Sequence, residues 1–378
     1  MKNLAGIYIH IPFCKKICYY CDFYKSANYC YVDEFIDAIL KEISYKKGFT
    51  KEVIETIYFG GGTPSSISIK NIELILNQLY TTFNISEEPE ITFEINPDDV
   101  YFEYLHKLKS IGINRLSIGI QSFNDKILNF LNRRHNLKQS IHSIIHAQKL
   151  GFNNISIDLI YGIPHQSITD FLSDLDTFFS FGLNHLSAYH LTIEDKTHFG
   201  RMLKKGVLSE VNEKESLLFY NELINKMGKN NYSHYEISSF AKSDYYSKHN
   251  MSYWKNVPYI GFGPSAHSYD GSSRYWNIES VKKYIKQINT NESYFDKENL
   301  TVIDKFNEYI ITGLRTKWGC NLDNIKLKFG DTYYEHCKKT ISELSEFYVF
   351  NSSKNIFALS EKLLLQSDFY IEKFILEK

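Results

Sequence analysis

The sequence of 378 residues has little proline and methionine, few cysteines and almost no net charge. Its 43 Lys and Arg oppose 44 Asp and Glu, so a formal charge of −1 gives no electrostatic reason to expect nucleic acid or an anionic membrane as a partner. With 7 Pro and 19 Gly it is not collagen-like, mucin-like or of low complexity. Six cysteines are too few for a disulfide scaffold.

Two targeting features are also missing. No apolar run approaches the roughly 18 residues that a membrane-spanning helix needs. The first residues read MKNLAGIYIHIPFC and lack the apolar segment and cleavage site of a signal peptide, so we expect a cytoplasmic protein with reduced thiols and no membrane anchor. The hydrophobic content of 43% is sufficient for a large core. At roughly 150 residues per domain, the length predicts about two domains.

The first 190 residues alternate between segments typical of strands and of helices. Strands are predicted at 5–11, 55–59, 90–95, 115–121, 154–160 and 185–190, and helices at 31–46, 69–83, 101–110, 137–150 and 168–181. The short connections between them favour parallel β/α units with right-handed crossovers. Six units are too few for a closed eightfold barrel, so we predict an α/β fold with a partial, open (β/α)6 barrel.

The pattern changes in the second half of the chain. We expect a helix at 211–229, a strand at 234–238 and an elaborate loop at 247–275, where Gly, Ser, His and aromatic residues are frequent. Residues 301–378 are predicted to be mostly helical, with short strands at 347–351 and 355–359, a pattern typical of a winged-helix-like module. The chain is therefore expected to divide into a barrel (1–235), a connecting region (236–300) and a C-terminal module (301–378).

Three cysteines directly after the first predicted strand have the spacing C-x3-C-x2-C. They are Cys14, Cys18 and Cys21. A loop of this kind can place three thiolates on three irons of a [4Fe–4S] cluster and leave the fourth iron open to a bidentate small molecule. A structural zinc site is the alternative, and Cys30 or His10 could supply the fourth ligand that zinc needs.

The flanks of these cysteines resemble the radical S-adenosylmethionine (SAM) superfamily. The motifs that carry the resemblance are, in chain order, Y-I-H-I-P-F-C-K-K-I-C-Y-Y-C-D-F (8–23), Y-F-G-G-G-T-P-S (58–65), F-E-I-N-P (93–97), N-R-L-S-I-G-I-Q-S-F (114–123), I-D-L-I-Y-G-I-P (157–164) and L-T-I-E (191–194). More narrowly, they resemble the branch that contains oxygen-independent coproporphyrinogen III dehydrogenase and a paralogous family of heme chaperones. The resemblance covers nearly the whole chain.

The resemblance implies a [4Fe–4S] cluster on Cys14, Cys18 and Cys21, with the amino and carboxylate groups of SAM on the fourth iron. The SAM contacts that it implies are Tyr8, Tyr20, Gly61, Gly62, Thr63, Glu94, Gln121, Arg133 and Asp158. Ordinary structural roles also exist for these residue types: a glycine turn, a helix cap at Glu94, a strand-end amide at Gln121. Arg134 could also point inward in place of Arg133. A single ligand, however, explains all of them together.

Two departures from the dehydrogenase pattern favour the heme chaperones. The dehydrogenase has a fourth cysteine where this sequence has Phe23, and it carries an N-terminal extension that is not expected here. The sequence H-N-x-x-Y is present as His249, Asn250 and Tyr253 and is linked in the chaperone branch to heme binding, which implies His249 as an axial heme ligand. His234 and His267 are the competing ligands.

The expected function is therefore that of a heme chaperone that binds a [4Fe–4S] cluster, SAM and heme and transfers heme to an acceptor protein, such as a respiratory cytochrome. The first alternative is a coproporphyrinogen III dehydrogenase, which would cleave SAM reductively and abstract hydrogen from the propionate side chains of its substrate. The second is a zinc-stabilised binding module. Whether the chain is an enzyme stays open, and a homodimer would agree with the sequence.

Overall fold

Side chains along the first strand, Leu4–Ile11, point alternately to the hydrophobic core and to the opposite face of the sheet. Ile7, Ile9 and Ile11 are fully buried in the main hydrophobic core. Tyr8 and His10 point to the other face, where the Tyr8 hydroxyl lies 3.2 Å from His10 Nδ1. One face of the strand therefore supports the fold and the other is free to carry polar groups.

A computed structural model describes residues 4–344, 348–351 and 353–377. The strands are β1 (Leu4–Ile11), β2 (Val53–Gly61), β3 (Ile85–Ile95), β4 (Arg115–Gln121), β5 (Asn154–Tyr161), β6 (His185–His190), β7 (Ser233–Glu236), β8 (Ser239–Ala241), β9 (Tyr259–Phe262), β10 (His267–Tyr269), β11 (Ser273–Asn277), β12 (Phe295–Asn299), β13 (Cys320–Asn321), β14 (Tyr348–Asn351) and β15 (Ile356–Leu359). The helices are α1 (Val32–Tyr45), α2 (Ile69–Thr82), α3 (Phe102–Ser110), α4 (Asp125–Phe130), α5 (Leu137–Lys149), α6 (Ile168–Ser180), α7 (His198–Lys204), α8 (Glu213–Lys229), α9 (Lys248–Trp254), α10 (Val281–Thr290), α11 (Val302–Leu314), α12 (Leu322–Phe329), α13 (Asp331–Glu343) and α14 (Ser367–Ile371). Short 3-10 helices span Tyr29–Tyr31, Pro64–Ser66, Pro97–Asp99 and Glu361–Gln366.

Strands β1 to β6 lie side by side in chain order and pair in parallel, with helices in the connections. The predicted α/β fold of six units is confirmed. The sheet is larger than predicted, because β9 pairs in parallel with the outer edge of β1 and extends through β10 and β11 to β12. At the other edge β8 and β7 follow β6, which gives twelve strands in one sheet.

The predicted loop at 247–275 is wrong. This segment contains helix α9 and strands β9, β10 and β11. In β9 all four residues, Y-I-G-F, are buried, so the strand has no alternating pattern that would predict it. It exists because β1 offers a free edge to it, and a sequence pattern does not contain that tertiary pairing.

Side chains next to the helices fix where several of them begin. Asn136 and Gln139 form a reciprocal capping box at the start of α5, and Ser167 and Asp170 form another at α6. Each box satisfies two backbone N–H groups that the first helical turn leaves without partners. These caps set the positions at which the loop after α4 enters α5 and the loop after β5 enters α6, and the first of these loops contains Arg133 and Arg134, which border the candidate site.

The C-terminal module has the winged-helix-like arrangement that was predicted. Helix α11 is followed by β13, then by α12 and α13, and then by β14 and β15, and the three strands form a sheet in the order β13-β15-β14. Both strands predicted here are present, although Phe347, the first residue of the predicted segment 347–351, lies outside the described residues, as does Lys378. Among the helices of the described ranges, none has the length and apolar character needed to cross a membrane.

Candidate functional site

The carboxyl ends of β2 to β6 surround a cavity of about 390 Å³. In folds built from parallel β/α units this is the edge at which active sites form. Its walls include Cys14, Cys18, Tyr20, Cys21, Gly61, Gly62, Thr63, Glu94, Gln121, Arg133 and Asp158. The structure thus brings together every residue predicted for the cluster and SAM except Tyr8.

The three cysteines lie in the loop after β1, and backbone hydrogen bonds hold that loop at both ends. The Cys14 amide donates to the Ser26 carbonyl at 3.0 Å, and the Tyr19 amide donates to the Leu131 carbonyl at 3.2 Å. Tyr19 also accepts from the Phe199 amide at 3.0 Å. The loop that follows β1 is therefore attached to the segments that follow β4 and β6.

Cys14 is buried, and Cys18 and Cys21 are partly buried. Burial raises the pKa of Cys14 to about 11, although a hydrogen bond with Thr63 opposes the shift, and burial together with Cys18 raises the pKa of Cys21. Three neighbouring thiolates repel one another, which favours the protonated thiols. Bound irons replace the thiol protons and offset the repulsion with their positive charge. The donor set fits a cluster that takes three thiolates. Within the described ranges, no three His, Cys, Asp or Glu side chains are arranged to hold a single metal ion.

Glycine is required at Gly61 and Gly62, at the end of β2, because His10 and Pro12 lie too close to the backbone there for a side chain. Gly61 has φ +109, and a Cβ there would lie 2.7 Å from His10 Nδ1. At Gly62 a Cβ would lie 2.8 Å from the carbonyl carbon of Pro12. The Gly62 amide donates to the Ile11 carbonyl at 2.8 Å, so it fixes the cysteine loop against β2. Thr63 Oγ1 lies 3.4 Å from the Cys14 sulfur.

Two carboxyl groups at strand ends face the cavity. Burial, with repulsion from Asp158, raises the pKa of Glu94 to about 7, and burial raises the pKa of Asp158 to about 6. Glu94 Oε1 accepts a hydrogen bond from the Tyr58 hydroxyl at 2.7 Å, and Asp158 Oδ1 accepts one from Ser117 Oγ at 3.3 Å. Glu94 does not cap a helix. A cationic ligand would stabilise the ionised form of both groups, and the sulfonium group of SAM is such a cation.

Arg133, and not Arg134, lies beside the cysteines. Its Nη1 donates to the Cys18 sulfur at 3.3 Å, and its Nη2 donates to the Gly119 carbonyl at 2.6 Å and to the Asn96 side chain. Its Nε is buried, and no described group hydrogen bonds to it, so this donor fits a ligand carboxylate. The Arg134 guanidinium pairs with Asp98 and Asp99 at 2.9 and 3.0 Å.

Gln121 ends β4 in a left-handed conformation, with φ +68, and is nearly buried. Few non-glycine residues adopt this backbone region, and such strain often accompanies functional sites. The side chains of Tyr58, Asn96 and Ser117 contact the predicted residues but were not predicted themselves. Tyr58 and Asn96 stand inside motifs quoted above, which was the available signal. Ser117 likewise stands inside a quoted motif, N-R-L-S-I-G-I-Q-S-F (114–123), although the motif does not show which carboxylate the serine contacts.

Tyr8 and His249 lie behind the cavity, in an aromatic stack with Tyr58. The ring centres of Tyr58 and His249 are 5.0 Å apart, and those of Tyr8 and Tyr58 are 6.1 Å apart. His249 is 1% exposed, with Nδ1 2.8 Å from Thr56 Oγ1 and Nε2 2.9 Å from the Tyr253 hydroxyl. Burial lowers its pKa to about 3, so the ring is neutral at pH 7. Heme ligation by His249 stays a prediction, and it requires one of these two hydrogen bonds to break.

Comparison with known proteins identifies relatives over the full chain. Residues 8–178 match the sequence model of the Radical SAM superfamily. The heme chaperone HemW of Lactococcus lactis subsp. lactis (strain IL1403) is 34% identical over 100% of this chain and 99% of its own length. The heme chaperone HemW of Bacillus subtilis (strain 168) is 34% identical over 95% of this chain and 96% of its own.

A solved structure agrees with the fold. Coproporphyrinogen III oxidase (HemN) from Escherichia coli, described as a radical SAM enzyme, matches with a TM-score of 0.85 over 99% of this chain and 90% of that one. The two sequences are 23% identical. At that identity the likeness establishes a shared architecture and carries no information about the substrate.

Proposed function

Because this chain belongs to the family of the heme chaperone HemW, a branch of the radical SAM superfamily, we propose that it binds heme and transfers it to an acceptor protein. The observation that carries the proposal is the full-length similarity to proteins with that name, at 34% identity. The predicted acceptor is a heme-requiring protein such as a respiratory cytochrome. A cytoplasmic location and a homodimer remain predictions.

The residues of the first cavity support a [4Fe–4S] cluster and SAM as cofactors. Cys14, Cys18 and Cys21 would hold three irons, and such a cluster supplies a redox centre with one exchangeable iron site. Glu94 and Asp158 would attract the sulfonium group of SAM, and Arg133 Nε would donate to its carboxylate. Tyr20, Gly61, Gly62, Thr63 and Gln121 line the same cavity, so they remain proposed contacts. Tyr8 lies behind the wall and would act through Tyr58.

A dehydrogenase of the coproporphyrinogen III type remains the alternative function. It shares the fold, but the motif of that family, by the resemblance described above, has a fourth cysteine where this chain has Phe23, and this departure supports the chaperone assignment. The two functions differ in one product. An enzyme would decarboxylate coproporphyrinogen III when SAM and a reductant are supplied, whereas a chaperone would leave it unchanged.

The proposal is tested with the full chain, purified without oxygen and reconstituted with iron and sulfide. We expect one heme per chain in a titration with hemin, and loss of that heme to an apo-cytochrome that is then added. Replacing Cys14, Cys18 and Cys21 with Ser should abolish the iron–sulfur absorption. Cys30→Ser is the matched control, because Cys30 is exposed outside the cavity. Failure to bind hemin, or decarboxylation of coproporphyrinogen III, would contradict the proposal.

A further inference from the structure

A second cavity, of about 490 Å³, lies on the far side of the aromatic stack, between β1, α9 and strands β9 to β11. Half of its fourteen lining residues are Phe, Tyr or Trp. Tyr253 and Trp254 form part of its wall, and Phe23 borders both this cavity and the first one. Flat aromatic walls of this kind suit a planar, largely apolar ligand, which they contact by stacking.

One imidazole faces this cavity without a partner. His267 is exposed, and no group in the described part of the chain hydrogen bonds to its ring. The nearest aromatic ring is Trp276, with centres 6.5 Å apart. Partial desolvation and then Arg274 lower the pKa of His267, so at pH 7 its ring is neutral, the form that binds iron.

The other candidate histidines are already engaged. Both ring nitrogens of His249 are hydrogen bonded, as described above. His10 uses Nδ1 for the Tyr8 hydroxyl and Nε2 for the Tyr24 carbonyl, the latter at 2.9 Å. His234 stacks on Phe240, with ring centres 4.2 Å apart, and lines neither cavity. Of these four, His267 alone presents an available ring nitrogen to an aromatic cavity.

Positive charge lies next to the aromatic walls. A neighbouring cavity of about 610 Å³ shares Trp254, Asn256, Tyr269 and Thr312 with this one and is bordered by Lys255, Lys305 and Lys328. Heme carries two propionates on one edge of its ring, and ammonium groups pair with carboxylates. Arg274 is less available, because its Nε lies 2.6 Å from Glu308. A porphyrin in the aromatic cavity could thus direct its acidic edge toward the lysines.

Resting on the proposed heme function, we infer that this aromatic cavity is the heme site and that His267 is the axial ligand of the iron. His249 is then a positioning residue, which holds the Tyr253 hydroxyl and so one wall of the site. The motif H-N-x-x-Y would be required for heme binding through this wall, without itself ligating iron.

The test compares His267→Ala with His249→Ala in the reconstituted full chain, titrated with hemin and followed by the Soret band and by electron paramagnetic resonance. His142→Ala, on the exposed face of α5, controls for hemin held by a surface histidine. We expect His267→Ala to lose the axial-imidazole spectrum and to bind hemin at least about tenfold more weakly, since loss of a group that only orients a metal ligand already weakens metal sites by that factor. His249→Ala should bind more weakly but keep the wild-type spectrum.

Two further variants separate ligation from folding. His267→Gly should regain the wild-type spectrum when free imidazole is added, and His267→Met should bind hemin with the shifted spectrum of thioether ligation. Wild-type spectrum and affinity in His267→Ala, or imidazole rescue of His249→Ala alone, would overturn the inference while the proposed function stands. A wild-type chain that binds no hemin would overturn both.

Discussion

The two buried carboxyl groups of the first cavity make ligand binding depend on pH. Glu94, with its pKa near 7, is largely neutral at pH 6 and ionised at pH 8. A protonated carboxyl group lacks the charge that attracts a sulfonium cation. We therefore expect the affinity for SAM to fall about tenfold between pH 8 and pH 6, since one pKa unit corresponds to about 1.4 kcal/mol.

Isothermal titration of the reconstituted protein at several pH values measures this dependence. In Glu94→Gln the step near pH 7 should disappear, because the side chain no longer titrates, and affinity should be low throughout. Glu103→Gln, on the exposed face of α3, should retain the wild-type profile. An affinity that is constant from pH 6 to pH 8 in the wild type would show that Glu94 does not face the cation.

A glycine substitution tests the close approach behind the cysteine loop. In Gly62→Ala the new Cβ would meet the Pro12 carbonyl carbon at 2.8 Å, and backbone cannot move as a flexible side chain does. We expect a loss of about 1–3 kcal/mol in unfolding free energy and a reduced iron content after reconstitution. Gly228→Ala in α8 is the control, because nothing lies within 4 Å of its Cβ and alanine favours a helix there. Equal iron content in the two variants would contradict the steric argument.

Eleven of the residues that line the first cavity were expected from the resemblance to the radical SAM superfamily. The cysteines and the strand-end motifs lie together there because parallel strands bring their carboxyl ends to one edge. The hydrogen bonds of His249 and the open face of His267 could not be predicted, since both depend on how α9 and β10 pack against β1. The choice between Arg133 and Arg134 was likewise decided by tertiary contacts with Cys18 and Asp99.

At the scale of elements, a buried carboxylate joins α1 to the added strands of the sheet. Glu42 is fully buried and accepts hydrogen bonds from the Gly263 amide at 2.8 Å, from Asn277 at 2.7 Å and from the Tyr284 hydroxyl at 2.5 Å. Lys46 pairs with it at 2.8 Å. One side chain thus connects α1, the loop after β9, β11 and α10.

Removing this carboxylate takes the ion-pair partner from the largely buried Lys46, which keeps a hydrogen bond to the Gly261 carbonyl, and takes the acceptor from the Gly263 amide and the Tyr284 hydroxyl. We expect Glu42→Ala to lower the unfolding free energy by about 3–5 kcal/mol, the range for breaking a buried ion pair. Denaturation with urea, followed by circular dichroism, gives the value. Glu73→Ala on the exposed face of α2 should change it little. A Glu42→Ala variant as stable as that control would mean that the connection contributes nothing.

Elements with strong periodicity were predictable, and elements defined by pairing were not. Helices α2, α5 and α6 and strands β1 to β6 have caps and apolar patterns that appear in the sequence. Strands β9 to β11 are three to five residues long and have no such pattern. Their hydrogen bonds depend on the edge of β1, far away along the chain.

Over the whole molecule, the cysteine loop is held to the rest of the fold by single hydrogen bonds, such as that from the Tyr19 amide to the Leu131 carbonyl, whereas the parallel strands are held by continuous ladders. Removing the cluster with a chelator under anaerobic conditions should therefore speed amide hydrogen exchange in residues 14–25 and leave β1 to β5 protected. Exchange measured by mass spectrometry checks this. The apo Cys14→Ser, Cys18→Ser, Cys21→Ser variant should show the same pattern without chelator. Faster exchange throughout the sheet would indicate that the cluster supports the entire fold.

Tyr58, His249 and Tyr253 lie in a row between the two cavities: Tyr58 donates to Glu94, which lines the first, and Tyr253 lines the second. A ligand that shifts these three side chains changes the shape of both cavities. Thermodynamic reciprocity then applies: the factor by which one ligand changes the affinity for the other must equal the factor in the reverse direction. Binding of heme and binding of SAM would accordingly form one linked equilibrium.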